Sequence, residues 1–201
     1  MASARLPSLQ RLDVTLEWGF GSIFERDAVA MLRAHAPQVE ALRVAARSAL
    51  FVMSDALLRA MPWQSEAAAA PVIPIAIDAP LLTTLNFERM DLPVPLAAPK
   101  LASAAGLYSA PLLATLRSAP RIESIRLHMS LDSQPIDGAF LDAALAGAWP
   151  QLRSFAARVP WPEQLPKLLA AWPLLDQVSL LCQSISSRQL LQTLRSAPGL
   201  R

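Results

Sequence analysis

An α/β solenoid, in which a short helix, a proline and a short strand recur along the chain, is the fold class that the sequence predicts. Three observations lead there. The first is a near-copy: Leu112-Leu-Ala-Thr-Leu-Arg-Ser-Ala-Pro120 returns as Leu190-Leu-Gln-Thr-Leu-Arg-Ser-Ala-Pro198, identical at eight of nine positions and offset by 78 residues. Self-similarity of this kind marks a repeat architecture. The second is a frame, P-x-φ-x-x-φ-x-φ with φ apolar, found at Pro7, Pro37, Pro80, Pro120, Pro150 and Pro173 and begun again at Pro198. The third is a change of period. Apolar residues fall at i, i+3, i+4 before the prolines and alternate after them, so helix gives way to strand.

Taken in order, helical spacing covers residues 28–36, 55–61, 112–119, 140–149, 165–172 and 188–197. Asp27, Ser54 and Ser187 stand where an N-cap would accept the first free backbone N–H groups. A proline closes each helix, because the residue before proline disfavours the α region. The strands that follow are centred on Asp13, Arg43, Asn86, Arg126, Ala156 and Ser179, each between two apolar neighbours. The two longest intervals contain Pro62 and Pro99, whose units fit the frame poorly. The stretch Trp63–Ile77, with four consecutive alanines and two prolines, reads as irregular. The expectation is one domain over residues 1–201 with about seven or eight repeats.

Composition excludes several classes of function. The 201 residues are 53% hydrophobic and only 17% charged, with 36 Ala and 35 Leu, so a packed core is expected and low-hydrophobicity disorder is excluded. Net charge is +2, and no two basic residues are adjacent. That lacks the clustered basic face of a nucleic-acid binder. A single cysteine, Cys182, excludes an intrachain disulfide framework and suits a reducing compartment. The longest uncharged stretch, Leu101–Leu116, has 16 residues, short of the roughly 20 that a spanning helix needs. The N-terminus has no apolar h-region of a secretory signal. An intracellular, cytoplasmic protein without a membrane span is the expectation.

Chemistry is sought and not found. The only histidines are His35, at the end of a helical stretch, and His128, so neither a nucleophile–base pair nor a zinc site is indicated. Trp18-Gly-Phe-Gly21 lacks the strand-to-helix glycine fingerprint and reads as a turn. Asp132-Ser-Gln-Pro-Ile-Asp-Gly138 lacks the alternating ligands and terminal Glu of a calcium loop. No enzyme activity, cofactor, metal or small-molecule substrate is expected.

The two periods and the helix stop, recurring together from Leu6 to Leu200, resemble leucine-rich repeat proteins. The likeness is to the longer-repeat subclass of ribonuclease-inhibitor-like and F-box-associated chains. It implies parallel strands on a concave face and short helices on a convex face. The chain departs from that pattern in two ways. The Asn or Cys usual three residues past the last strand Leu is replaced by Glu17, Arg47, Met90, Ser130, Pro160 and Gln183, so no asparagine ladder is expected. Neither end has a capping segment, although terminal repeats need a polar outer face. With a mean hydropathy of +0.33, this predicts a piece of a longer chain or ends covered by partners.

Stacking the strands places their outward residues in columns. One column reads Asp13, Arg43, Asn86, Arg126, Ala156 and Ser179, and the next Thr15, Ala45, Glu88, His128, Arg158 and Leu181. Arg43, Arg126 and Arg158 would give a modestly basic surface with Glu88 opposing them. Trp149 and Trp172, each just ahead of a frame proline, are expected in the core, whereas Trp63 and Trp161 are candidates for exposed partner contacts. The partner-binding candidates are therefore Asp13, Arg43, Asn86, Glu88, Arg126, His128, Arg158, Trp63 and Trp161. The expected function is a non-catalytic interaction module or scaffold subunit of a larger protein assembly, binding through the strand face and the uncapped ends. The alternative that the resemblance implies is the substrate-recognition region of an F-box-type ubiquitin ligase adaptor.

Overall fold

Buried and outward side chains alternate along most of the strands, as a half-covered sheet requires. The computed structural model describes residues 9–17, 23–47, 76–88, 91–128, 135–160 and 162–182. In chain order these form β1 (Arg11–Glu17), α1 (Ile23–His35), β2 (Ala41–Arg47), β3 (Ile77–Asp78), β4 (Thr84–Glu88), β5 (Leu96–Ala97), β6 (Ser103–Gly106), α2 (Ala110–Arg117), β7 (Ser124–Leu127), α3 (Gly138–Leu145), β8 (Ser154–Val159), α4 (Leu165–Ala170) and β9 (Gln177–Cys182). Seven strands make one parallel sheet in the order β1-β2-β4-β6-β7-β8-β9, which is also their order along the chain. On one face, Leu42, Val44, Leu85, Phe87, Ile125, Leu127, Phe155 and Ala157 are buried in a core shared with the helices. Among the described residues no element covers the other face.

The proline frame has a clear structural meaning. At Pro80, Pro99, Pro120, Pro150 and Pro173 the residue before the proline accepts a hydrogen bond from the residue two after it. The pairs are Ala79 with Leu82 (3.2 Å), Ala98 with Leu101 (3.1 Å), Ala119 with Ile122 (3.3 Å), Trp149 with Leu152 (3.1 Å) and Trp172 with Leu175 (3.1 Å). Proline at the second position of a four-residue turn supplies the fixed φ that such turns use. All ten flanking residues are buried, so each turn is pinned at both ends by apolar contacts.

Immediately after the turn, one backbone carbonyl of each strand start accepts two successive N–H groups from the next. Gln10 receives Glu40 and Ala41, Glu40 receives Thr83 and Thr84, and Thr83 receives Ala102 and Ser103. Ala102 then receives Glu123 and Ser124, Glu123 receives Arg153 and Ser154, and Arg153 receives Asp176 and Gln177. These distances run from 2.8 to 3.1 Å. A backbone column thus satisfies donors at the turns without a ladder of asparagine side chains.

The sequence reading is corrected at three places. Helices do not precede every proline: the two-residue strands β3 and β5 lie ahead of Pro80 and Pro99 and pair with each other in parallel. The Pro99 unit is fully formed, with β6 between β4 and β7. Its strand looked degenerate because Ala104 and Gly106 occupy positions where the frame expects large apolar residues. A Cβ at Gly106 would stand 3.4 Å from Phe87 Cβ and 3.6 Å from Leu112 Cδ2, so the neighbouring phenylalanine already fills that space. Finally, α1 begins at Ile23, which puts Asp27 inside the helix, not at its cap. Observed caps are Ser109 on α2 and Asp137 on α3. Of the expected elements, 55–61 and 188–197, with Ser54 and Ser187, lie outside the described residues.

The β7–β9 end of the core is aromatic. Phe140 packs on Trp149 and Phe155 on Trp172, both with ring centroids 4.9 Å apart. The two expected core tryptophans are each 1% exposed. Their indole N–H groups reach back to the preceding unit, Trp149 to Leu116 O at 2.8 Å and Trp172 to Ala148 O at 3.3 Å. Helix α3 ends in a Schellman motif, with Gly147 N bonded to Ala144 O and Ala148 N to Ala143 O, both at 3.0 Å. Gly147 takes φ 82° there, and Trp149 itself sits at φ 61°. The left-handed region costs a residue bearing a side chain roughly 1–2 kcal/mol. The indole hydrogen bond and the ring contacts offset that cost.

Candidate functional site

The open face carries the residues that the strand pattern turns away from the core. In register across all seven strands, one column reads Asp13, Arg43, Asn86, Ala105, Arg126, Ala156 and Ser179. The sequence reading placed six of these correctly and passed over Ala105. A second column, which it did not single out, reads Arg11, Ala41, Thr84, Ser103, Ser124, Ser154 and Gln177. Small hydroxyl residues at x positions that precede the frame's central residue were the available signal. Thr15, Ala45 and Glu88 align as expected, as do Arg158 and Leu181. His128 follows β7 and donates its backbone N–H to Gly106 O at 2.9 Å.

The two halves of this face differ in electrostatics. At the β1–β4 end, Arg43 lies between two carboxylates. Its Nε meets Glu88 Oε1 at 3.0 Å and a terminal nitrogen meets Glu88 Oε2 at 3.1 Å, a bidentate pair. The other terminal nitrogen meets Asp13 Oδ2 at 3.2 Å. Asn86 Nδ2 donates to Glu88 Oε1 at 3.0 Å and completes the cluster. Its hydrogen bonds to Glu88 and Asp13 raise the pKa of Arg43. The same guanidinium hydrogen bond lowers that of Glu88, against a smaller opposing effect of burial. Arg43 is therefore neutralised within the chain and does not extend a basic surface.

At the β7–β9 end the face has a depression of about 450 Å³ lined by Arg126, Ser154, Phe155, Ala156, Gln177, Val178 and Ser179. Its floor is low because the register neighbours of Arg126 are Ala105 and Ala156. Arg126 is exposed and, among the described residues, makes no hydrogen bond or ion pair. Arg158 lies half-buried two residues beyond Ala156 on β8, outside the lining of the depression.

Trp63 and Trp161 lie outside the described residues. Among the described residues no group of three or more His, Cys, Asp or Glu is arranged to hold a metal ion, and no helix is long and apolar enough to cross a membrane. His35 closes α1, with Nδ1 3.5 Å from Gln38 Nε2. No protein-family model matches the chain, and no curated protein or solved structure matches it either.

Proposed function

We propose that the protein is a non-catalytic interaction module, a solenoid of the leucine-rich-repeat kind that docks another protein on the open face of its sheet. The observation that carries this reading is the face itself: seven parallel strands in chain order, their mostly polar outward residues aligned in columns, with a depression beside an arginine that is unpaired among the described residues. Extended surfaces of this form suit recognition by shape and charge. Arginine with its planar fork is a frequent hot-spot residue in such contacts. Membership of a larger assembly, as a scaffold subunit, belongs to the same reading.

The test is site-specific photo-crosslinking in the cells of origin. A photoreactive residue at Ser103 or Ser179 on the open face is expected to capture one and the same protein, identified by mass spectrometry. The same residue at Leu145, exposed on α3, is the control. Adducts from Leu145 alone, or from none of the three sites, would remove the open face as a docking surface.

A further inference from the structure

We infer that the depression at Arg126 takes an acidic segment of a protein partner, with a partner carboxylate set against the Arg126 guanidinium. The inference deepens the docking reading above and rests on it. Its warrant is a comparison within a single column of the sheet. Arg43 and Arg126 occupy the same register row. Around Arg43 the chain supplies Asp13 on one neighbouring strand, Asn86 on the other and Glu88 one step along, and the guanidinium binds both carboxylates. Around Arg126 the corresponding neighbours are Ala105 and Ala156. The one-step neighbours on this side are His128 and Arg158 instead of a glutamate.

Among the described residues the lining contains no carboxylate. Beyond Arg126 its polar side chains are Ser154, Gln177 and Ser179, all able to donate hydrogen bonds. Glu123 and Asp176 stand in the turns ahead of β7 and β9, outside that lining. A cation surrounded by neutral donors and open space calls for an anion from outside. The geometry the chain uses for its own arginine is a bidentate carboxylate, and this identifies the complement as aspartate or glutamate. Two alanines leave the room that an incoming side chain needs.

The experiment is a fluorescence-polarisation titration of the full chain with a capped, labelled pentaglutamate peptide, with pentalysine as control. Pentaglutamate is expected to bind, pentalysine not to bind, and Arg126→Gln to weaken binding about tenfold or more, as loss of a charge-assisted pair predicts. Ser179→Trp, which fills the depression and leaves Arg126 in place, is expected to weaken it as well. Arg126 has no partner among the described residues, and both Arg126 and Ser179 are exposed, so both variants should keep the wild-type melting temperature. Absence of pentaglutamate binding to the wild type, or equal binding by Arg126→Gln, overturns the proposal. Crosslinks from Ser103 and Ser179 in that event would leave the docking reading standing, whereas loss of those crosslinks would remove the reading itself.

Discussion

Thr115 is the fully buried polar side chain among the described residues, and its hydroxyl has two tasks. It donates to Pro111 O at 2.9 Å within α2 and accepts from Leu96 N at 2.8 Å. Just past β5, Ala98 N donates to Ser118 Oγ at 3.1 Å. On its β5 side the ladder thus ends against side chains of α2 and its C-cap, which take the place of a third strand. Thr115→Val keeps the shape and orphans the Leu96 N–H, so it should lower unfolding free energy by about 1–3 kcal/mol. Thr115→Ser should restore most of it, with urea denaturation as the measurement. The near-copy at 190–198 repeats both hydroxyls as Thr193 and Ser196. The repeat was legible in the letters. The reason those two letters matter was not, because hydrogen bonding from a helix to a neighbouring unit leaves no periodic trace.

At the scale of an element, α3 shows how a cap ties one unit to another. Asp137 accepts the Phe140 N–H at 3.0 Å as N-cap and also a short hydrogen bond from the Tyr108 hydroxyl. Burial would by itself raise the Asp137 pKa, but the hydrogen bonds from Tyr108 and the backbone outweigh it, and the pKa is lowered. Burial and the same contact raise that of Tyr108. A folded value below the unfolded one means stability that is present above about pH 4 and lost as pH falls through the folded value. Asp137→Asn keeps a capping oxygen and removes the titration. Its stability should vary less with pH than wild type across the acid limb, when thermal melts are compared between about pH 5 and pH 2. An unchanged acid limb would dismiss this contribution. The sequence reading missed this cap because Asp137 sat in a segment that was weighed as a calcium loop and read as a loop with a turn. It also credited proline with ending helices, whereas β3 and β5 show that the turn is the constant and the helix is optional.

For the whole molecule, the legible part of the candidate site was its register. The proline frame fixes where each strand starts, and the alternation then fixes which residues share a column, so Asp13, Arg43, Asn86, Arg126, Ala156 and Ser179 could be aligned in advance. Ion pairing across strands was not legible in the same way. Glu88 had to come diagonally within 3.0 Å of Arg43 Nε, and that depends on rotamers and on strand twist. The consequence is that the two arginines should respond differently to charge reversal. Arg43→Glu places a third carboxylate beside Asp13 and Glu88 and should lower the urea midpoint. Arg126→Glu, with no pair to break among the described residues, should leave it unchanged. Equal effects on the midpoint would contradict the contrast between a paired Arg43 and an Arg126 that is unpaired among the described residues.

The shared carbonyls at the strand starts bear on how such a chain can grow. A joint made of main-chain atoms asks nothing of the side chains on either side of it. Duplicating a stretch from one proline turn to the next therefore brings along the means of attachment. The copied segment separated by 78 residues is the kind of trace that lengthening by duplication would leave. Under such a scheme the outward positions are spared the work of joining units, so they can diverge while the joint stays intact. Arg43 among acids and Arg126 among alanines would then be two outcomes of that liberty on one common backbone.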